Sequence, residues 1–215
     1  MSNVLQVAKE RALVLAAHTD DEFGCAGAVV RLVESGVQVK YIAVSRCEES
    51  VPEGFERDVL EHECRRCTEK LGLRAEDVSV WRYPVRKFPS LRQEILEDFV
   101  KVARDFRPEL VLLPSSDDTH QDHRTVYEEG FRAFKFASLL GYELPQNLIS
   151  FSNSAFVALS EKHLETKIEA LNEYRSQAFR SYAAGQFIRS LAQVRGVQAS
   201  TNFAEAFEAV RLVLR

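Results

Sequence analysis

Residues 11–22 read RALVLAAHTDDE. A short, unbroken apolar run of this kind suits a strand buried on both faces, and it stops abruptly at a histidine followed by three carboxylates. Residues 23–35, FGCAGAVVRLVES, then repeat small and aliphatic residues at helical spacing until Gly36 closes the segment, and residues 37–45, VQVKYIAVS, resume strand character. That strand, helix, strand unit decides the fold class. Outward from it, a polar loop at 46–56 leads into the helical RDVLEHECRRCTEKLG of residues 57–72, and DVSVWRYP at 77–84 reads as a third strand. Residues 90–106 place Leu91, Ile95, Leu96, Phe99, Val102, Ala103 and Phe106 on one helical face. Residues 108–114 form a fourth apolar strand, and a polar loop then gives way to a helix expected to run to about Leu139. Beyond Pro145, residues 147–159 read as a pair of strands and 161–179 as a helix, with no element assigned to the tail. Strands alternating with helices predict a mostly parallel α/β sheet with helices on both faces, because parallel neighbours need crossover connections. No linker, repeat or low-complexity tract divides residues 1–215, so one domain is expected.

The chain has 215 residues, 46% of them hydrophobic and 28% charged, which is enough to bury a core without disulfide or metal support. Any metal must therefore have a chemical task. With 28 Lys and Arg against 32 Asp and Glu there is no basic excess to pair with a phosphate backbone, which argues against a nucleic-acid partner. No run approaches the ~20 apolar residues of a membrane span, and residues 1–11 lack the apolar centre of a leader, so a cytoplasmic location is expected. Cys25, Cys47, Cys64 and Cys67 suit free thiols in a reducing compartment.

Chemistry concentrates in two clusters, residues 18–22 (HTDDE) and 117–123 (DDTHQDH), which together hold three of the five histidines. Both follow predicted strands, and ligands of parallel sheets bind at the carboxyl ends of strands. Either cluster alone reads most plainly as a helix cap, whereas the matched pair favours a shared site. His18, Asp21 and His123 can supply three ligands to a catalytic zinc that keeps a fourth position for water. Asp20 can serve as the base for that water, and His120 can stabilise an oxyanion or protonate a departing amine.

AAHTDDE with the Gly- and Ala-rich helix after it, and PSSDDTHQDHRTV later, resemble the two signature motifs of the LmbE-like, or PIG-L, zinc-dependent N-acetylglucosaminyl deacetylases, which usually read AHPDDE and HxDH. Weaker echoes run from Glu63 to Gly72 (ExxxAxxxLG), over residues 167–177 (KxxAL, then SQ) and over residues 204–207 (AEAF). The resemblance implies a Rossmann-like three-layer sandwich. It implies zinc on His18, Asp21 and His123, with other divalent ions compatible, and Asp20 as general base. His120 would act on the tetrahedral intermediate, and Asp122 would orient a histidine. It implies hydrolysis of an N-acetyl group from an N-acetylglucosamine-type sugar or conjugate, and it admits a homo-oligomer. The alternatives are a related amidase or esterase, or a non-catalytic sugar- or nucleotide-binding module; the absence of GxGxxG after the first strand argues against a dinucleotide cofactor.

The chain departs from the family at three places. Thr19 stands where proline is usual, SRCEESVPEG (45–54) replaces a glycine-bearing TxGE segment, and Leu60 replaces an arginine, with Arg57 one turn earlier. Cys64 and Cys67 form a CxxC inside a helix and are expected at ordinary helix positions; Cys25 is expected to pack. Asp117 and Asp118 read as loop carboxylates, Phe131, Phe134 and Phe136 as core, and His62 and His163 carry no assigned role. Arg46 and Arg86 follow strands and can hold a phosphate or nucleotide group, though surface ion pairs are the plainer reading.

Overall fold

The computed structural model describes residues 8–213; the first seven residues, part of the segment read as lacking a leader, lie outside it. Strand β1 (Arg11–Ala16), helix α1 (Ala26–Glu34), β2 (Gln38–Ala43), α2 (Val59–Lys70), β3 (Val78–Val80), α3 (Arg92–Phe106), β4 (Leu110–Pro114), α4 (Gln121–Ala133) and β5 (Ser138–Tyr142) alternate as expected for a doubly wound unit. They are followed by β6 (Ala155–Leu159), α5 (Glu161–Leu171), α6 (Gly185–Gln198) and β7 (Phe203–Arg211). One seven-stranded sheet results, in the order β3-β2-β1-β4-β5-β7-β6. Strands β1 to β5 are parallel, and β7 inserts antiparallel between β5 and β6. The strand order reverses between β1 and β4, whose pairing starts at Ala12 opposite Leu110 and runs to Val14 opposite Leu112. At such a reversal the connections leave in opposite directions and open a crevice at the carboxyl ends.

The pleat of β1 divides the core. Ala12, Val14 and Ala16 join the layer containing α1, α2, α5 and α6, while Leu13, Leu15 and Ala17 join Ile95 and Phe99 of α3 and Val126 of α4 on the other face. The helix predicted to run to Leu139 instead ends at Ala133, because Ser138–Tyr142 is a strand with every residue buried. A strand covered on both faces shows no alternation, so its apolar run cannot be told from a buried helix segment by periodicity. Only one of the two strands expected within 147–159 forms. The helix expected over 161–179 ends at Leu171, after which short 3-10 turns carry the chain back across the sheet's carboxyl edge. Phe134 joins the core as expected; Phe131 and Phe136 do not, being 41% and 82% exposed. No helix among the described residues is long and apolar enough to cross a membrane.

The last strand anchors the first helix. The Glu205 carboxylate accepts the backbone N–H groups of Gly27 (2.8 Å) and Ala28 (2.7 Å), two donors that a helix N-terminus leaves unpaired, and it takes Lys167 Nζ at 2.8 Å. Gly27 lets this approach be close, since a Cβ there would lie 2.6 Å from Leu159 Cδ1 and 2.9 Å from Glu205 Oε1, so both side chains would have to shift. Glu205 and Lys167 are both nearly inaccessible, so removing one leaves the other charge buried and alone. Glu205→Ala and Lys167→Met are each expected to cost about 3 kcal/mol or more in urea unfolding, and the double variant less than the sum. Additive losses would mean that the two groups do not interact.

Candidate active site

The first cluster is shaped by a carboxylate that folds back on its own turn. The backbone N–H of His18 donates to Asp21 Oδ2 at 2.8 Å, so the HxxD spacing brings both side chains to one point just beyond β1. The second cluster is built by α4. His120 is its N-cap, with Nδ1 accepting the Asp122 N–H at 3.1 Å, and His123 lies buried in the first turn. Asp118 braces both histidines: Oδ1 accepts the His120 N–H at 2.8 Å, and Oδ2 lies 2.7 Å from His123 Nδ1.

Adjacency of β1 and β4 then brings the clusters together. His18 Nδ1 lies 2.9 Å from His123 Nε2. Asp21 Oδ1 lies 3.4 Å from His123 Nε2 and 3.9 Å from His18 Nδ1. The remaining nitrogen of each ring faces a carboxylate, His18 Nε2 toward Asp122 Oδ2 at 3.1 Å and His123 Nδ1 toward Asp118. Carboxylates behind the rings hold N–H protons on the outer nitrogens and turn the inner lone pairs toward each other. Two lone pairs and an anionic oxygen this close repel unless a positive charge sits among them. Bonds of ~2.0–2.2 Å to a tetrahedral ion would separate ligand atoms by about 3.4 Å, so the donor set fits one first-row divalent cation. His18, His120 and His123 also offer nitrogens all within 4.8 Å of one another, which makes the three histidines a second candidate set.

Electrostatics agree with the geometry. Burial disfavours charge on His123, but Asp21 and Asp118 outweigh it and raise its pKa to about 10; against the same burial penalty, His123 holds Asp21 down to about 2. A proton thus serves where a cation would. Burial, together with the nearby charges of His18 and His123, lowers His120 to about 4, so the ring is neutral. With Nδ1 accepting a backbone N–H, its one proton is on Nε2. Burial and the neighbouring Asp21 raise Asp20 above the usual carboxylate range, with His18 and Arg180 opposing.

A cavity of about 220 Å³ is lined by His18, Asp20, Asp21, His120 and His123, so these candidates share one space. Asp122 sits behind it on His18 and accepts the backbone N–H groups of Arg86 (2.6 Å) and Phe88 (3.3 Å). Arg86, Leu60, Cys47 and Ser50 contribute to the cavity wall; Arg57 does not, and Arg46 pairs with Glu48. The thiols of Cys64 and Cys67 are free and buried, pushed up in pKa by burial. Thr19 has its backbone carbonyl bound by the Tyr41 hydroxyl at 3.2 Å and by that of Tyr174, while its own Oγ1 is buried without a partner.

Sequence reasoning missed several residues. Asp118, which reads as a solvated or hydrogen-bonded loop carboxylate, is buried and hydrogen-bonded, and its specific role on His120 and His123 was signalled by its place two and five residues before them. Glu22 lies outside the cavity and accepts the Tyr41 (2.7 Å) and Tyr174 (2.6 Å) hydroxyls, with burial raising its pKa to about 7 against those bonds and that of Cys67. Gln146, Asn147, Gln177, Arg180 and Tyr182 complete the wall from loops after β5 and α5, and of these Gln177 alone falls within a sequence echo, the SQ that follows KxxAL.

The family model PIG-L, GlcNAc-PI de-N-acetylase, matches residues 13–134, from within β1 to just past α4, and so spans both clusters. The Escherichia coli K12 protein YaiS, named an uncharacterized deacetylase, is 28% identical over 183 residues, covering 81% of this chain and 97% of its own. The N,N'-diacetylchitobiose deacetylase of Pyrococcus horikoshii superposes with a TM-score of 0.81 at 20% identity, over 99% of this chain and 86% of that one. GalB, the 4-carboxy-2-hydroxymuconate hydratase of Pseudomonas putida KT2440, superposes at 0.75 with 19% identity, over 96% and 98%. These two structures establish a shared fold, and the fold serves more than one reaction.

The raised pKa of His123 has a consequence in chelator-treated protein. Its charge stabilises the fold fully below the ordinary value of 6.5, and that contribution is lost as pH rises through about 10. Thermal stability without metal should therefore decline over that window, and Asp118→Asn should reduce the decline and lower the His123 pKa read by NMR titration. An unchanged titration would show that Asp118 does not govern the ring.

Proposed function

Because the chain belongs to the PIG-L family of GlcNAc-PI de-N-acetylases, we propose that it removes the N-acetyl group from an N-acetylglucosamine-type sugar or its conjugate, with a divalent cation, by preference zinc, on His18, Asp21 and His123. As a family member it is a deacetylase, a hydrolase of amide C–N bonds. The observation that carries the finer reading is the compact set of His18 Nδ1, His123 Nε2 and Asp21 Oδ1, with Asp20 in the same cavity. Asp21 is preferred to His120 as third ligand because His120 Nδ1 is committed to the α4 cap, which leaves a protonated Nε2 with no lone pair to give.

The cation, when bound, supplies a Lewis acid that polarises the acyl carbonyl and acidifies water. Asp20, its pKa raised by burial and by the neighbouring Asp21, takes the proton of the attacking water and returns it to the amine nitrogen as the C–N bond breaks. His120 donates its Nε2–H to the carbonyl oxygen as negative charge develops there. Asp122 orients His18 through its side chain and His120 through its backbone N–H, so one residue sets the spacing between ligand and oxyanion donor. Asp118 does the same for His123. Residues 1–215 are proposed to act as one catalytic domain, and the four free thiols support a cytoplasmic location.

Acetate release from N-acetylglucosamine derivatives by zinc-loaded protein tests the reading. Asp20→Asn is expected to lower kcat by about 10²- to 10⁴-fold while leaving zinc stoichiometry at one per chain. His18→Ala and His123→Ala should abolish tight zinc binding in a chelator competition, and Asp118→Asn should weaken it by about 10- to 100-fold. Undiminished turnover in Asp20→Asn would refute its role as base. Release of another acid from a panel of acylated esters and amides, with none from the sugars, would favour the related hydrolase.

A further inference from the structure

Two phenols outside the cavity grip the segment that carries the base and one ligand. Tyr41 stands on β2, in register with Val14 of β1, and Tyr174 lies just after α5. Both are buried, at 1% and 4% exposure, and neither lines the space that holds Asp20 and the histidines. Each hydroxyl lies between two oxygens of the turn after β1. The Tyr41 hydroxyl reaches the Thr19 carbonyl at 3.2 Å and Glu22 Oε2 at 2.7 Å; the Tyr174 hydroxyl reaches the same carbonyl and Glu22 Oε1, the latter at 2.6 Å. Residues 19 and 22 are therefore tied to the same two side chains. Between them stand Asp20 and Asp21.

The Thr19 carbonyl belongs to the planar peptide unit that joins Thr19 to Asp20, so holding its oxygen fixes how that plane is rotated and, with it, the direction of the Asp20 side chain. The other polar groups of Thr19 restrain it less. Its Oγ1 is buried without a partner, and its N–H meets the Cys47 thiol, with no backbone oxygen accepting it among the described residues. A ring closed on that nitrogen would therefore break no bond of the backbone. Threonine leaves φ free at a place where proline, usual in the family, would lock it. The two phenols restrain the same residue from outside the turn.

We propose that Tyr41 and Tyr174 are positioning residues for the reaction: by clamping residues 19 and 22 they aim Asp20 at the attacking water and keep Asp21 beside the histidines, a restraint that proline at 19 could supply instead. This rests on the roles proposed for Asp20 and Asp21. The test compares Y174F and Y41F, each lacking one hydroxyl oxygen, with Y174F/T19P and Y174F/E22Q. In zinc-loaded protein with N-acetylglucosamine as probe, Y174F should lower kcat by about 10- to 100-fold. KM should stay within about twofold, since neither phenol touches the cavity. Zinc alone should bind about 10-fold more weakly in a chelator competition. In metal-free protein, exchange of the His18 amide, which donates to Asp21, should quicken about 10-fold more than exchange of amides in β4 and α3. T19P should reverse all three losses in the Y174F background. Y41F, whose contact with Thr19 is the longer, should show the same pattern at smaller size, and it carries the test if Y174F does not fold. Unchanged kcat in the Phe variants overturns the proposal. So does equal acceleration of exchange throughout the sheet, which would make the phenols supports of the fold as a whole. If they serve only to satisfy the Glu22 carboxylate, E22Q will repair Y174F and T19P will not, which again overturns it. Absence of acetate even from the unaltered chain would sink the deacetylase reading, while exchange and zinc binding still decide the clamp.

Discussion

Two imidazole nitrogens face each other across 2.9 Å, and the surrounding structure makes that approach tolerable. Neither ring can turn away, because His18 is held from behind by Asp122 and His123 by Asp118. Neither cluster can retreat, because β1 and β4 are hydrogen-bonded neighbours at the reversal of strand order. Buried lone pairs and carboxylates in a low-dielectric interior demand a compensating positive charge. The arrangement thus draws a positive charge, whether a proton or a cation, into one point of the cavity.

The same logic governs the polar groups deeper in the fold. Glu22 is sealed between Tyr41 and Tyr174, Glu63 accepts both donors of Ser176, and Glu205 caps α1 while pairing with Lys167. Each is a buried charge or hydroxyl with its partners supplied, the condition under which such groups are tolerated. These contacts tie the turns after α5 and the final strand to the first half of the chain, which holds His18, Asp20 and Asp21. The faint sequence echoes at Glu63, Lys167, Ser176 and Glu205 have their explanation here: they pair with one another, as fasteners of the scaffold.

A division of labour follows. The floor of the cavity comes from strand ends and a helix start, where backbone geometry is fixed by the sheet and by capping. The walls come largely from loops after β2, β3, β5 and α5, among them residues 45–54, which depart from the family pattern. Floors of this kind set the reaction, and walls set what is admitted to it.

The sequence by itself determined the strand, helix alternation, the parallel sheet and the two clusters, because those depend on local periodicity and on residue types with few other uses. HTDDE and HQDH were legible as chemistry since histidines and carboxylates after apolar strands have few structural purposes beyond capping. Strand β5 and the end of α5 were not legible: a segment buried on both faces has no alternation, and a helix stopped by tertiary contacts carries no stop signal of its own. Nor could the sequence show that Asp118 braces His123, or that Gln177 and Arg180 reach a cavity whose floor is built by segments much earlier in the chain. Those facts are distances between segments remote along the chain, and only the packing of strands and crossovers brings them into being.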